Sequence, residues 1–193
     1  PRVPIAFDTD VNAAAIGEAQ VGAGRDLRHL AYITVGTGIG AGYLHDGRPI
    51  HGRMHTEAGH LVMPDLEGDR EVSVNVCPFH RSCLEGRASG PAIEKRWGRP
   101  ASELDPDHPA WDLEARYLAC GAVDLTAAWS PEAILIGGGV LQQPGLIRRV
   151  REAFAELAGG YWSLPPLDRY LRTPELGQQA GIVGALAMAA RLP

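Results

Sequence analysis

Cys77, His80 and Cys83, in the stretch CPFHRSC, place three soft or borderline metal ligands at two-residue spacings. Thiolate sulfur and imidazole nitrogen are the ligands zinc prefers, and each pair is close enough in sequence for a single loop to wrap one ion. A structural zinc wants a fourth ligand. His60, in the stretch EAGH, stands on a strand-like edge just before the loop and is the leading candidate, while His51 and His55 in the same stretch compete with it. Four protein ligands leave no open position for water, so a metal here would be structural rather than catalytic. The plain alternative is a reduced loop with two incidental cysteines.

Two glycine turns and one aspartate are the other groups with chemical reach. Gly36-Thr37-Gly38-Ile39-Gly40 lies between two strand-like runs, where successive backbone N–H groups and the Thr37 hydroxyl can meet an anion. The same pattern serves a hairpin that needs glycine only for its backbone freedom, and no Gly-Lys-Ser/Thr follows to make it a Walker loop. Gly137-Gly138-Gly139 directly follows the apolar run ILI, at the strand end where open α/β sheets take ligands. Asp10 falls between a short apolar run and a helix-forming run, where its carboxylate reads either as a helix cap or as a general base reaching into a cleft.

The elements that must position these groups alternate between strand and helix. Ile5-Ala6-Phe7 reads as a short buried strand, followed by a helix from Asn12 to Gln20, capped by Asp10 or Asn12 and closed by Gly22 and Gly24. Leu30 to Val35 and Ala41 to Leu44 read as strands, and the Asp46-Gly47 pair predicts a tight turn after the second. Residues 65–76 predict a surface loop, and a helix after Cys83 is interrupted near Gly90-Pro91. Residues 98–109 form a proline-rich connector. Helix is then predicted from about Trp111 to Trp129, strand over Ala133 to Ile136, and helix from about Pro144 to Leu157 and from Gln179 to Arg191. Alternation of this kind predicts an α/β fold. Cys120, in an apolar helical run, reads as a small core residue.

Composition narrows the function classes. A chain of 193 residues with 45% hydrophobic and 21% charged residues has the balance of a globular protein. The net charge of −5 with scattered Lys and Arg offers no footprint for nucleic acid, and no apolar run reaches membrane-spanning length. With no signal-peptide pattern and an odd cysteine count of three, the cytoplasm is the expected compartment, and the thiols are expected to be free for a metal.

Taken together, FDTDVNAAAIGE at 7–18, TVGTGIGAG at 34–42, HTEAGH at 55–60, CPFHRSCLEG at 77–86, GPAIEKRWG at 90–98, ILIGGGV at 134–140 and QQAGIVGALAMA at 178–189 resemble the ROK family of sugar kinases and repressors. The C-x-x-H-x-x-C-Leu-Glu-Gly form is particularly like its bacterial fructokinases. The resemblance implies an actin-like ATPase (ribonuclease H-like) fold, of which this chain is mainly the C-terminal lobe. Residues 1–24 would close the N-terminal lobe with the catalytic Asp10, and 77–83 would form the zinc-binding loop. It implies phosphoryl transfer from ATP, with Mg2+, to a hexose, most readily fructose to fructose 6-phosphate. Asp10 would take the hydroxyl proton, Asn12 would shape the sugar site, and Glu57, His60 and Glu85 would bind sugar hydroxyls. His60 would join Cys77, His80 and Cys83 on a structural Zn2+. Gly36, Thr37, Gly38 and Gly40 would meet the ATP phosphates, and Gly137, Gly138 and Gly139 the adenosine. A homodimer is expected by the same resemblance. Family kinases open on an Asp-x-Gly-Gly-Thr-Lys phosphate loop that no stretch of this sequence matches, which leaves a non-catalytic sugar-sensing module or an inactive truncated homologue as the alternative.

Overall fold

The structure is a computed structural model that describes residues 3–67, 69 and 74–192. Continuous apolar runs make its central strands because both faces of the sheet are covered. β1 (Leu30–Val35), β2 (Ile39–His45), β3 (Arg48–Pro49), β4 (Ala133–Gly137) and β5 (Leu171–Arg172) form one mixed sheet in the order β3-β2-β1-β4-β5. β1 pairs antiparallel with β2, from Leu30 opposite Leu44 to Val35 opposite Ile39. It pairs parallel with β4, from Leu30 opposite Ala133 to Thr34 opposite Gly137. The two glycine turns thus emerge side by side, at the carboxyl ends of adjacent parallel strands.

Strand alternation sorts the core into two layers. On one face Leu30, Tyr32, Leu44 and Leu135 pack against α1 (Asp10–Val21) and α7 (Ala180–Ala189). On the other, Ala31, Ile33, Val35, Ile134 and Ile136 pack against α2 (Leu84–Ala88), α3 (Gly90–Trp97), α4 (Ala110–Trp129) and α5 (Leu146–Ala158), with Trp111, Tyr117 and Leu118 fully enclosed. α6 (Leu167–Tyr170) leads into β5. α1 and α7 touch backbone to backbone: a Cβ at Gly184 would overlap the carbonyl oxygen of Ala13, so only glycine permits this approach. A buried carboxylate reinforces the contact. Glu18, fully enclosed, accepts from the N–H groups of Ala23 at 2.7 Å, Glu175 at 3.1 Å and Leu176 at 2.7 Å, tying α1 to the segment that follows β5.

Most of the expected elements are present, with three corrections. Ile5-Ala6-Phe7 is not a strand: Ile5 is 84% and Phe7 95% exposed, and no described strand lies against them to complete a ladder. Neither Asp10 nor Asn12 caps α1. The cap is Thr9, whose Oγ1 accepts from Asn12 N at 3.1 Å, because its extended backbone aims the hydroxyl at the free N–H groups of the first turn. α6 and β5 were not expected, since four- and two-residue elements leave no periodic signal. The turn at Asp46-Gly47 forms as expected, with both residues at positive φ. Of the loop expected over 65–76, residues 68 and 70–73 lie outside the described residues. Among the described residues no helix is long and apolar enough to cross a membrane.

Candidate metal centre and glycine-lined cleft

Three backbone pairings bring the metal-type residues together. Leu84 N donates to Leu61 O at 2.9 Å, Met63 N donates to Ser82 O at 3.2 Å, and Val62 bridges Cys83, so the chain before the loop lies along the chain after it. Asn75 closes the loop by donating its side-chain amide to the carbonyls of Cys77 and His80. The result is a single cluster: the ligand atoms of His60, Cys77, His80 and Cys83 all lie within 4.8 Å of one another. Nδ1 of His60 is 3.9 Å from Cys77 Sγ and 3.6 Å from Cys83 Sγ, and Nδ1 of His80 is 3.4 Å from Cys77 Sγ. Zinc bonds of about 2.3 Å to sulfur and about 2.0–2.1 Å to nitrogen require a tetrahedron with edges of about 3.4–3.8 Å. The three Nδ1–Sγ separations of 3.4, 3.6 and 3.9 Å lie close to those edges, and the chemistry of the four donors suits one such ion. All three cysteines are free thiols, and burial, together with the neighbouring Cys77 sulfur, pushes the Cys83 thiol up to about 11. A bound cation reverses that penalty by stabilising the thiolate.

The rivals to His60 are engaged elsewhere. His55 Nε2 lies 2.7 Å from Glu57 Oε1, and His51 Nε2 lies 3.1 Å from Asp8 Oδ1. Position selects His60: it closes the short 3-10 turn Ala58–His60, whose Gly59 is pressed so tightly on β2 that a Cβ would overlap the Ile39 carbonyl oxygen.

From the cluster the geometry runs directly to the first glycine turn. Cys83 caps α2, its sulfur accepting from Gly86 N at 3.4 Å, and two residues on, Glu85 Oε2 accepts from Ile39 N at 3.1 Å. Gly90 N, opening α3, donates to Gly36 O at 2.8 Å. Residues 36–40 are thus held from both ends of α2, and Gly36 N donates to Gly38 O at 2.9 Å within the turn.

Two cavities flank the second glycine turn. One of about 430 Å³ is lined by Asp10, Thr34, Gly137, Gly138, Gly139 and Gln178, among others. The other, about 550 Å³, is lined by Gly36, Thr37, Pro91, Trp111, Gly139 and Gln143, among others. Gly139 and Gln142 line both, so the cavity bordered by Asp10 and the one bordered by Gly36 and Thr37 lie on either side of a shared wall. Glu57, His60 and Glu85 line neither cavity; they form a second group, around the metal cluster and β2. Asn12 is not open to a ligand: it is 1% exposed, and its Nδ2 donates to Asp8 Oδ1 at 2.7 Å. Sequence reasoning missed the far wall of the first cavity, Thr173, Pro174, Gly177 and Gln178, although the glycine opening the GQQAG stretch was a usable signal. It also missed the pairing of Asp8 with His51, having singled out no role for Asp8 and weighed His51 only as a metal ligand.

A mixed five-stranded sheet with glycine turns at the ends of its parallel strands and helices on both faces is the architecture of an actin-like ATPase (ribonuclease H-like) fold. Solved structures agree: a ROK hexokinase from Thermus thermophilus superposes with a TM-score of 0.80 at 32% identity, covering 97% of this chain and 65% of that one. A ROK family glucokinase from Streptomyces griseus, solved with glucose and AMPPNP, gives a TM-score of 0.78 at 28% identity, covering 98% of this chain and 69% of that one. The ROK family description matches residues 2–191, and the chain belongs to that family. Among curated relatives, fructokinases from Pediococcus pentosaceus and Zymomonas mobilis are 42% and 44% identical over 188 residues each. These alignments take in 97% and 96% of this chain but only 65% and 62% of the relatives, so the chain spans somewhat under two thirds of their length.

Proposed function

We infer that this chain is part of an ATP-dependent hexose kinase, with fructose as the acceptor and fructose 6-phosphate as the product. The observation that carries this reading is the identity of 42% and 44% to fructokinases across nearly the whole chain. The geometry supports it: Asp10 shares one cavity with Gly137, Gly138 and Gly139, and Gly36 and Thr37 line the neighbouring cavity, an arrangement that suits phosphoryl transfer because that chemistry depends on positioning and charge stabilisation.

In this reading Asp10 accepts the proton of the attacking sugar hydroxyl as its oxygen bonds to the γ-phosphorus and ADP departs. Gly36, Thr37, Gly38 and Gly40 hold the phosphates by N–H and hydroxyl donors, and Gly137, Gly138 and Gly139 lie against the adenosine. Mg2+ enters with the nucleotide. Glu57, His60 and Glu85 accept and donate to sugar hydroxyls. Zinc, held by His60, Cys77, His80 and Cys83, supplies rigidity: it fixes the start of α2 and thereby Glu85 against the glycine turn. Asn12 acts through Asp8 and does not touch the sugar. The reaction is placed in the cytoplasm, where thiols stay reduced.

The test is coupled ADP release with fructose, glucose and mannose in Mg-ATP. Turnover led by fructose supports the assignment. No turnover, with hexose still bound by calorimetry, replaces it with a sugar-sensing module.

A further inference from the structure

A junction joins the helix that carries Asp10 to the loop that carries Glu57, and the roles assigned above leave its His51 side unused. Its hub is Asp8, whose side chain is only 7% exposed. One carboxylate oxygen, Oδ1, receives three donors: Thr9 N at 2.7 Å, Asn12 Nδ2 at 2.7 Å and His51 Nε2 at 3.1 Å. A carboxylate only accepts, so the imidazole donates. Burial alone pushes the Asp8 carboxyl upward, but the Asn12, Thr9 and His51 donors outweigh it and hold the group below its usual range.

His51 comes from 43 residues further along the chain and opens the loop after β3. That loop is a closed unit. His51 and His55 form an antiparallel bridge, Gly52 N donates to Met54 O at 2.9 Å, and Thr56 Oγ1 donates to Ala41 O at 3.3 Å. At its far end His55 pairs with Glu57. One short loop therefore carries two imidazole-carboxylate pairs, one anchored on the start of α1 and the other on the loop's own Glu57.

We propose that the His51–Asp8 hydrogen bond is a positioning element of the sugar site, fixing the loop that carries Glu57 against the helix start that carries Asp10, so that hexose affinity depends on it while nucleotide binding does not. The proposal rests on the sugar-kinase reading. Asp8 and His51 act through Asp10 and Glu57, and the paired carboxylates and imidazoles around them suit a polyhydroxylated ligand. Asn12 belongs to the same device: its buried amide reinforces Asp8 from the α1 side.

The test uses the full chain and its His51→Ala and His51→Gln variants, read by the KM for hexose, the KM for Mg-ATP, kcat, zinc content and melting temperature. His51→Ala is expected to raise the hexose KM about tenfold, because hydrogen bonds to a charged group are among the stronger ones. The KM for Mg-ATP and the zinc content stay unchanged, and kcat falls less than the hexose KM rises. His51→Gln, which retains an N–H donor, recovers part of the loss. Two outcomes overturn the proposal: a hexose KM within about twofold of the parent in His51→Ala, or both KM values rising together with loss of zinc and melting temperature. A parent that binds hexose without turnover is tested through its dissociation constant in the same way. A parent that neither turns over nor binds hexose overturns the functional reading and this proposal with it.

Discussion

Replacing Glu18 by Gln changes one atom and tests how α1 is held to the cleft wall. The side chain is fully enclosed, so the amide occupies the same space and no cavity opens. Oε2 accepts from Ala23 N and Glu175 N, and Oε1 accepts from Leu176 N. The glutamine keeps only one acceptor oxygen. In its better orientation that oxygen serves Ala23 and Glu175, and the amide NH2 faces Leu176 N, donor against donor. One bond is then lost at about 1–3 kcal/mol, and the other two fall from charged to neutral strength at about 1 kcal/mol each. The expected loss is about 3–5 kcal/mol, a large part of the 5–15 kcal/mol typical of a folded protein. Urea unfolding of parent and variant measures it, and hydrogen exchange at the Leu176 amide reports the lost bond directly. The candidate metal cluster adjoins Met63 and Leu84 on the opposite face of the sheet from α1, so its capacity to take up a metal ion should not change. A loss below about 1 kcal/mol, with the Leu176 amide still protected, would refute the reasoning.

Asp10→Asn should abolish hexose turnover while hexose binding remains measurable by calorimetry; unchanged turnover removes Asp10 from the role of base. Cys83→Ala should release the metal, measured by elemental analysis, and lower the melting temperature, because structural zinc contributes folding free energy; unchanged metal content contradicts the proposed ligand set. Glu114, 2% exposed on α4, has its carboxyl pushed well above the ordinary 4.5 by burial, which Arg96 only partly offsets. The folded protein therefore holds a proton that the unfolded chain has released above 4.5, so the stability tied to this group is complete below that pH and declines as pH rises toward the folded value. Glu114→Gln, neutral at every pH, should flatten this decline in urea midpoints measured upward from pH 4.5, and parallel profiles for parent and variant would show that Glu114 is ionised in the fold.

The parts of the site legible in sequence are those whose physics is local. Cys77, His80 and Cys83 were legible as candidate ligands because their types and two-residue spacings let one tight loop gather them, and their ligand atoms do lie together with that of His60. The strands over Leu30–Val35 and residues 133–136 were visible because runs buried on both faces are largely apolar, and the glycine turns were visible because they follow those runs. Ile5-Ala6-Phe7 shows the limit of the same rule. Its residues have strand character, but a strand exists only where another strand completes its hydrogen bonds.

Pairing across the chain was decided by the tertiary structure. His60 reaches the sulfurs of Cys77 and Cys83 from 17 and 23 residues away, whereas His51 and His55, equally plausible by type, are held by Asp8 and Glu57. Asn12 turns inward to Asp8 although its place beside Asp10 suggested the sugar, because its side of α1 packs on Gly42 of β2. The cleft draws its walls from α1, β1, β4 and the segment after β5, which only the sheet order brings together. Residue type and spacing therefore determined which chemistry this chain can carry. The closing of long loops onto a two-faced sheet decided which of several equivalent residues carries it, because through-space neighbours depend on packing that no local pattern encodes.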